Sequence, residues 1–171
     1  CDQFCDHAGR AQMLLCDGMG TGKSAAVDGR LAARLTGQLL RAGFAAESAA
    51  RLVNVALGLK NAESESGATI DLLTVDLYTG RAGLFKAGAA ASFLVREGVA
   101  RVLEAPSLPI GVTAGVVGRS TAFSLGAGDM AVLVSDGALC DGSDWVAEQL
   151  QLSARLGSRI VAMSFCEPRS C

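Results

Sequence analysis

Two apolar runs in this 171-residue chain end in the same pair of residues. Met13-Leu14-Leu15-Cys16 leads into Asp17-Gly18, and Val132-Leu133-Val134-Ser135 leads into Asp136-Gly137. Each run reads as a buried strand, which places each aspartate at a strand's exposed end and holds it rigidly. If the two strands are neighbours, the carboxylates converge. Two such charges side by side force one to protonate unless a cation sits between them. Hard oxygen donors without a His or Cys cluster favour Mg²⁺ or Mn²⁺. The glycine after each aspartate lets the backbone turn tightly, so a carbonyl can face the ion too. A single Asp-Gly is an ordinary turn dipeptide, and the informative feature is the matched pair.

A competing chemistry lies in Gly18-Met19-Gly20-Thr21-Gly22-Lys23-Ser24, because Gly-Lys-Ser between a strand and a helix resembles a phosphate loop. The spacing fails. That loop needs four residues between its glycines, whereas Gly18 and Gly22 enclose three. Asp17 would also repel the phosphates, and the dinucleotide fingerprint is one residue short. A nucleotide site is therefore a remote alternative, and Lys23 and Ser24 read as the opening of a helix. Nucleophilic catalysis has little support, since the lone His7 precedes the first buried run and no Ser or Cys elbow is evident. Cys1, Cys5, Cys166 and Cys171 lie at spacings unlike common zinc pairs, and Cys16 and Cys140 read as small core residues. A reducing, cytosolic setting is expected.

The elements that must position the two aspartates follow from periodicity. Residues 11–16 read as the first strand. A helix over 24–41 is expected to bury Val27, Leu31, Leu35 and Leu39, with Gly43 stopping it. A second helix over 46–60 sets Ala49, Leu52, Val53, Ala56 and Leu59 on one face, followed by a polar loop over 61–67. Then the pattern turns to period two. Hairpins are expected for 69–78 with 81–88, for 92–96 with 99–104, and for 121–125 with 130–135. Ser143 or Asp144 caps a last helix over 145–156, which Gly157 stops. Helices followed by consecutive hairpins predict an α+β fold with antiparallel sheet.

Seventeen acids against fifteen bases give a net charge of −2, with a pI near 5.4, which supplies no electrostatic footprint for nucleic acid or an anionic membrane. Half of the residues are apolar, enough to exclude disorder. With 29 Ala and 21 Gly against eight aromatics, the interior is expected to be built from many small contacts. The faces carrying Ala25, Ala26, Ala32 and Ala33 permit close packing within the chain or in a homodimer. No apolar run approaches the ~20 residues a spanning helix needs. The chain opens Cys-Asp-Gln-Phe, without Met or a signal peptide, and is expected to be a piece of a longer, cytoplasmic or membrane-anchored protein.

Several motifs occur together in one order: Asp17-Gly18-Met19-Gly20-Thr21-Gly22, the helix after it, Thr69-Ile-Asp-Leu-Leu-Thr-Val-Asp-Leu-Tyr-Thr-Gly80, Lys86-Ala-Gly88, Ser92-Phe-Leu94, Leu108-Pro109-Ile110-Gly111, Gly128-Asp129, Ser135-Asp136-Gly137 and Asp144-Trp145. Jointly they resemble the phosphatase domain of the stage II sporulation protein E family, a branch of the PPM-type (protein phosphatase 2C-like) serine/threonine phosphatases. The resemblance covers about residues 1–157. It implies one domain over 1–171, an αββα sandwich of two antiparallel sheets flanked by helices, and two Mn²⁺ or Mg²⁺ ions. Asp17 would bridge both ions, the Gly18 carbonyl would bind one and Asp136 the other, and a metal-activated water would attack a phosphoserine. The implied substrate is a phosphorylated regulator of the anti-anti-sigma type, and the two early helices would be a regulatory switch.

Two departures bear on activity. The family carries a further Asp, in a Gly-Asp pair roughly eighteen residues before the Asp-Gly-Met-Gly turn; Asp2 is too close to match it. The family also ends on an Asp-Asp pair, while no Asp follows Asp144 here and residues 158–171 diverge, with a strand expected over 159–165. The fold is therefore expected to be truncated at both ends and the chain as given weakly active. The alternative is a PPM-like regulatory domain with an impaired metal centre.

Overall fold

A computed structural model of the chain describes residues 1–60, 67–115 and 118–155. In chain order the elements are β1 (Asp2–Cys5), β2 (Arg10–Leu15), α1 (Gly22–Arg41), α2 (Ala46–Lys60), β3 (Ile70–Asp76), β4 (Arg81–Ala87), β5 (Ser92–Arg96), β6 (Val99–Leu103), β7 (Arg119–Ser124), β8 (Met130–Leu133), a single 3-10 turn (Asp136–Leu139) and α3 (Ser143–Arg155). They form two compact units. One comprises Cys1–Ala89 and Ala105–Ser124, the other Ala90–Glu104 and the chain from Leu125 onward. The fold is α+β, with two antiparallel sheets and helices, as the hairpin pattern predicts. Among the described residues no helix is long and apolar enough to cross a membrane.

The first unit holds a five-stranded sheet in the order β1-β2-β3-β4-β7, with every neighbouring pair antiparallel. Strand β1 is not evident from periodicity; it is four residues long and half-exposed. Its turn into β2 is tied by Asp6, whose carboxylate accepts the Ala8 and Arg10 N–H groups at 3.0 Å each. Asp76 does the same for Tyr78 and Thr79 between β3 and β4. Helices α1 and α2 cover the sheet face that carries Leu14, Leu72 and Phe85. On the opposite side, Asp71 of β3 faces Lys86 of β4 in register. Their side chains are 1% exposed and meet at 2.7 Å. Burial pushes the Lys86 ammonium below the ordinary lysine range, and the Asp71 carboxylate opposes that shift.

Both early helices are turned away from the face their large apolar residues suggest, although Ala49 and Val53 of α2 are buried as expected. Helix α1 buries Ala25, Asp28, Gly29, Ala32, Thr36, Gly37 and Leu40; Leu31, Leu35 and Leu39 are half-buried and Val27 is exposed. The reason is proximity, because small residues let the helix approach the backbone after β2. A Cβ at Gly29 would lie 2.7 Å from the Gly18 nitrogen, and one at Gly18 would overlap the Ala25 carbonyl oxygen. Helix α2 buries Ala49, Ala50, Val53, Asn54 and Leu57, which leaves Leu52 exposed and Leu59 77% exposed. Asp28 of α1 pairs with Lys60 of α2, and Arg41 at the end of α1 grips Asp2 of β1 at 2.7 and 2.9 Å.

The second unit has a three-stranded sheet, β6-β5-β8, with α3 packed on it through Val146, Ala147 and Leu150 against Phe93 and Val95. The expected hairpin of 121–125 with 130–135 does not form. Instead β7 pairs with β4 and β8 with β5. Strand β7 is mostly exposed, which suits the edge it occupies, whereas Met130 and Val132 find apolar partners in Val95 and Phe93. Cys140 is exposed rather than a core residue, its sulfur 3.0 Å from the Gly137 carbonyl. Cys16 is half-buried against the core of the first unit, and desolvation pushes its thiol up to about 12. Residues 61–66 of the loop expected over 61–67, the expected helix stop at Gly157 and the strand expected over 159–165 lie outside the described residues.

Two stability outcomes follow. Gly29→Ala should lower stability by about 1–3 kcal/mol through overpacking. Gly58→Ala should raise it by about 0.5–1 kcal/mol, because Gly58 is helical and a Cβ there meets nothing within 4 Å. Urea midpoints moving in the same direction would contradict this packing. Lys86→Met should cost about 3–5 kcal/mol by stripping Asp71 of its buried counter-charge, and adding Asp71→Leu should recover most of that loss. A double variant no better than the single would show that the pair itself is stabilising.

Candidate metal centre

The Asp17–Gly18 turn is fixed on two sides within the first unit. On one side α1 presses against it through Ala25 and Gly29. On the other, residues 67–69 extend the β2–β3 ladder past the end of β2. The Thr69 N–H donates to the Asp17 carbonyl at 2.7 Å, and the Met19 N–H donates to the Gly67 carbonyl at 2.8 Å. The Thr69 hydroxyl accepts the Asp17 N–H at 3.0 Å and lies 3.4 Å from the Asp17 carbonyl. Thr69 thus grips the backbone of Asp17 from three directions. Sequence reading did not single it out, since a threonine opening a strand is ordinary; its place directly across from the Asp-Gly turn is a matter of register.

With its backbone held, Asp17 directs Oδ1 to the Gly18 N–H at 3.0 Å, and the carboxylate is exposed at the strand end. The glycine-rich stretch then reverses direction. Gly20 and Gly22 take φ of +83° and +85°, a region that only glycine enters cheaply, and α1 starts at Gly22. Thr21 precedes the helix without a side-chain cap. Among the described residues the named strand pairs are all antiparallel, with no βαβ frame of the kind a phosphate loop requires, and the glycines serve the turn.

Asp136 belongs to the second unit. It opens the 3-10 turn three residues beyond the end of β8, is exposed, and directs Oδ1 to the Gly137 N–H at 2.8 Å. The two Asp-Gly turns thus share one local geometry, a carboxylate at a strand end that folds back on the next amide. Other aspartates are engaged differently. Asp2, Asp6, Asp28, Asp71 and Asp129 each pair with a lysine or arginine. Asp129 lies in the turn before β8, and its Oδ2 takes up both Arg96 and the Gly126 N–H.

Among the described residues no three His, Cys, Asp or Glu side chains gather as a metal cluster. Asp17, Gly18 and Asp136 offer hard oxygens only, which fit Mg²⁺ or Mn²⁺ in kind. Mg²⁺ is commonly held by one or two carboxylates and keeps several waters. His7 is exposed in the β1–β2 turn, apart from both Asp-Gly pairs in sequence.

Comparison with known proteins agrees with these motifs. The family profile for stage II sporulation protein E (SpoIIE) matches residues 7–163. The stage II sporulation protein E of Bacillus subtilis (strain 168) is 29% identical over 123 residues, covering 72% of this chain and 15% of the relative. That of Priestia megaterium is 28% identical over 131 residues, covering 77% and 22%. The chain therefore spans under a quarter of either relative's length. Among solved structures, the PP2C phosphatase domain of B. subtilis SpoIIE with a fragment of its regulatory domain superposes with a TM-score of 0.75. The identity there is 24%, covering 88% of this chain and 45% of that one. The RsbU and RsbW domains of a Mycobacterium tuberculosis protein give a TM-score of 0.76 at 22% identity, covering 92% and 45%. The fold is thus that of PP2C-type phosphatases, and with a profile matched over 7–163 the chain belongs to the stage II sporulation protein E family.

Proposed function

We propose that this chain is a single metal-dependent protein serine/threonine phosphatase domain over residues 1–171, with Asp17, the Gly18 carbonyl and Asp136 as ligands to Mn²⁺ or Mg²⁺. The observation that carries this reading is the repeated Asp-Gly geometry, Oδ1 on the following amide at 3.0 and 2.8 Å, in a chain of this family. Ions held by these residues would supply an activated water and neutralise phosphoryl oxygens, chemistry that needs no protein nucleophile. The chain's own residues hold the donors in place. Thr69 fixes the Asp17 backbone, α1 excludes movement of Gly18, and each Asp spends Oδ1 on an amide. The substrate is a phosphoserine on a regulatory protein of the anti-anti-sigma type. Support comes from the B. subtilis neighbour, described as a cell fate determinant, and from a solved serine/threonine phosphatase of S. agalactiae with a TM-score of 0.67. Cytoplasmic placement goes with that substrate.

A second reading is a PPM-like regulatory domain with an impaired centre. The absence of a three-acid cluster among the described residues favours it. Phosphate release from a phosphoserine protein, followed with and without Mn²⁺, separates the two. The first reading predicts Mn²⁺-dependent release that falls by about 100-fold or more in Asp17→Asn and in Asp136→Asn. Release that survives either substitution would overturn the site. Binding of the phosphoprotein without release would favour the second reading.

A further inference from the structure

Asn54 is the polar exception on the buried face of α2, 4% exposed among Ala50, Val53 and Leu57. A mid-helix carboxamide facing a core is costly unless each of its groups is bonded. Here both are. Oδ1 accepts the Gly111 N–H at 2.7 Å, and Nδ2 donates to the Thr113 carbonyl at 2.9 Å. One side chain thereby pins both sides of the loop that follows Leu108-Pro109-Ile110.

That loop leads directly to the candidate centre. Ile110, next to Gly111, exchanges two hydrogen bonds with Ala68: the Ala68 N–H reaches the Ile110 carbonyl at 3.0 Å, and the Ile110 N–H reaches the Ala68 carbonyl at 2.9 Å. On its other side Ala68 bridges Gly18, and its neighbours Gly67 and Thr69 hold Met19 and Asp17. Gly18, Ala68 and Ile110 form three adjacent segments of a short antiparallel ladder, and Asn54 anchors the outer one. Ala68 and Ile110 are 0% and 1% exposed, so water cannot take over a bond that breaks there.

We propose that Asn54 is a positioning residue for the Asp17–Gly18 turn, acting through the 111–113 loop, Ile110 and residues 67–69. Asn54 then sets the backbone of the Asp17–Gly18 turn without touching it. The part of this inference that concerns metal rests on the reading above; the part that concerns the turn does not.

The test uses the intact chain as wild type, Asn54→Ala, Asn54→Asp and Leu40→Ala. The last truncates a buried residue of the same core at the far end of α1. Two quantities are read: amide hydrogen exchange at Met19 and Thr69 relative to Leu14 and Leu72 in mid-sheet, and Mn²⁺ affinity from the electron paramagnetic resonance signal of unbound ion. Asn54→Ala should speed exchange at Met19 and Thr69 about tenfold over the mid-sheet amides and weaken Mn²⁺ about tenfold. Asn54→Asp, which keeps the acceptor for Gly111 and loses the donor to Thr113, should fall between it and wild type. Leu40→Ala should leave both the exchange ratio and the affinity within about twofold, whatever its loss of thermal stability. An unchanged exchange ratio in Asn54→Ala, or an equal change in Leu40→Ala, overturns the proposal. If wild type binds no Mn²⁺, the metal reading falls, and the exchange ratio alone decides on Asn54.

Discussion

Helix α1 can lie against the backbone after β2 only because neither contact point carries a Cβ. Gly29 on the helix meets the Gly18 nitrogen, and Gly18 meets the Ala25 carbonyl. That approach determines the rest of the first unit's functional end. It draws small residues onto the buried face of α1, so that the leucines every fourth residue ride half-buried at its flank. It also forces the chain from Gly18 to Gly22 to reverse within a few residues, which Gly20 and Gly22 achieve at positive φ. The glycine-rich stretch that resembles a phosphate loop is accordingly a packing device. Its glycines bring a helix onto a strand end, and the aspartate there is left exposed with its backbone gripped by Thr69.

Buried polar side chains supply the direction that apolar packing cannot. A buried ion pair contributes little net stability, since desolvation offsets most of the attraction. What Asp71 and Lys86 specify is register. A one-residue slip between β3 and β4 would swing one of the two charges onto the face that packs against α1 and α2. Asp28 and Lys60 fix α1 to α2, and Asn54 fixes α2 to the 111–113 loop. These contacts and the Ile110–Ala68 pairing connect α2 to the Asp17–Gly18 turn.

Much of this was legible in the residues themselves. The two Asp-Gly strand ends, the stop of α1 before Gly43, the hairpin of 92–96 with 99–104 and the antiparallel class follow from local chemistry, and the order of motifs matched the family. What failed did so for nonlocal reasons. Periodicity assigned Leu52 and Leu59 to the core, because it counts apolar residues and cannot know that Asn54 has two bonding partners 57 and 59 residues away. It paired β7 with β8 by adjacency, whereas β4 and β5 each offered an open edge in a different sheet. Strand β1 was too short and too exposed to carry a pattern, and its anchor, the Asp2–Arg41 grip, spans 39 residues. Thr69 escaped notice because its importance comes from lying opposite Asp17 in the β2–β3 register.

The central proposal is that Asp17 and Asp136 are each ligands to a bound divalent ion. The most direct measurement is a Mn²⁺ titration of isotope-labelled chain followed by nuclear magnetic resonance, reading the amides of Gly18 and Gly137. The account predicts that both signals broaden, and that Asp17→Asn protects the Gly18 amide and Asp136→Asn the Gly137 amide. Broadening of one turn without the other, or of neither, would contradict it.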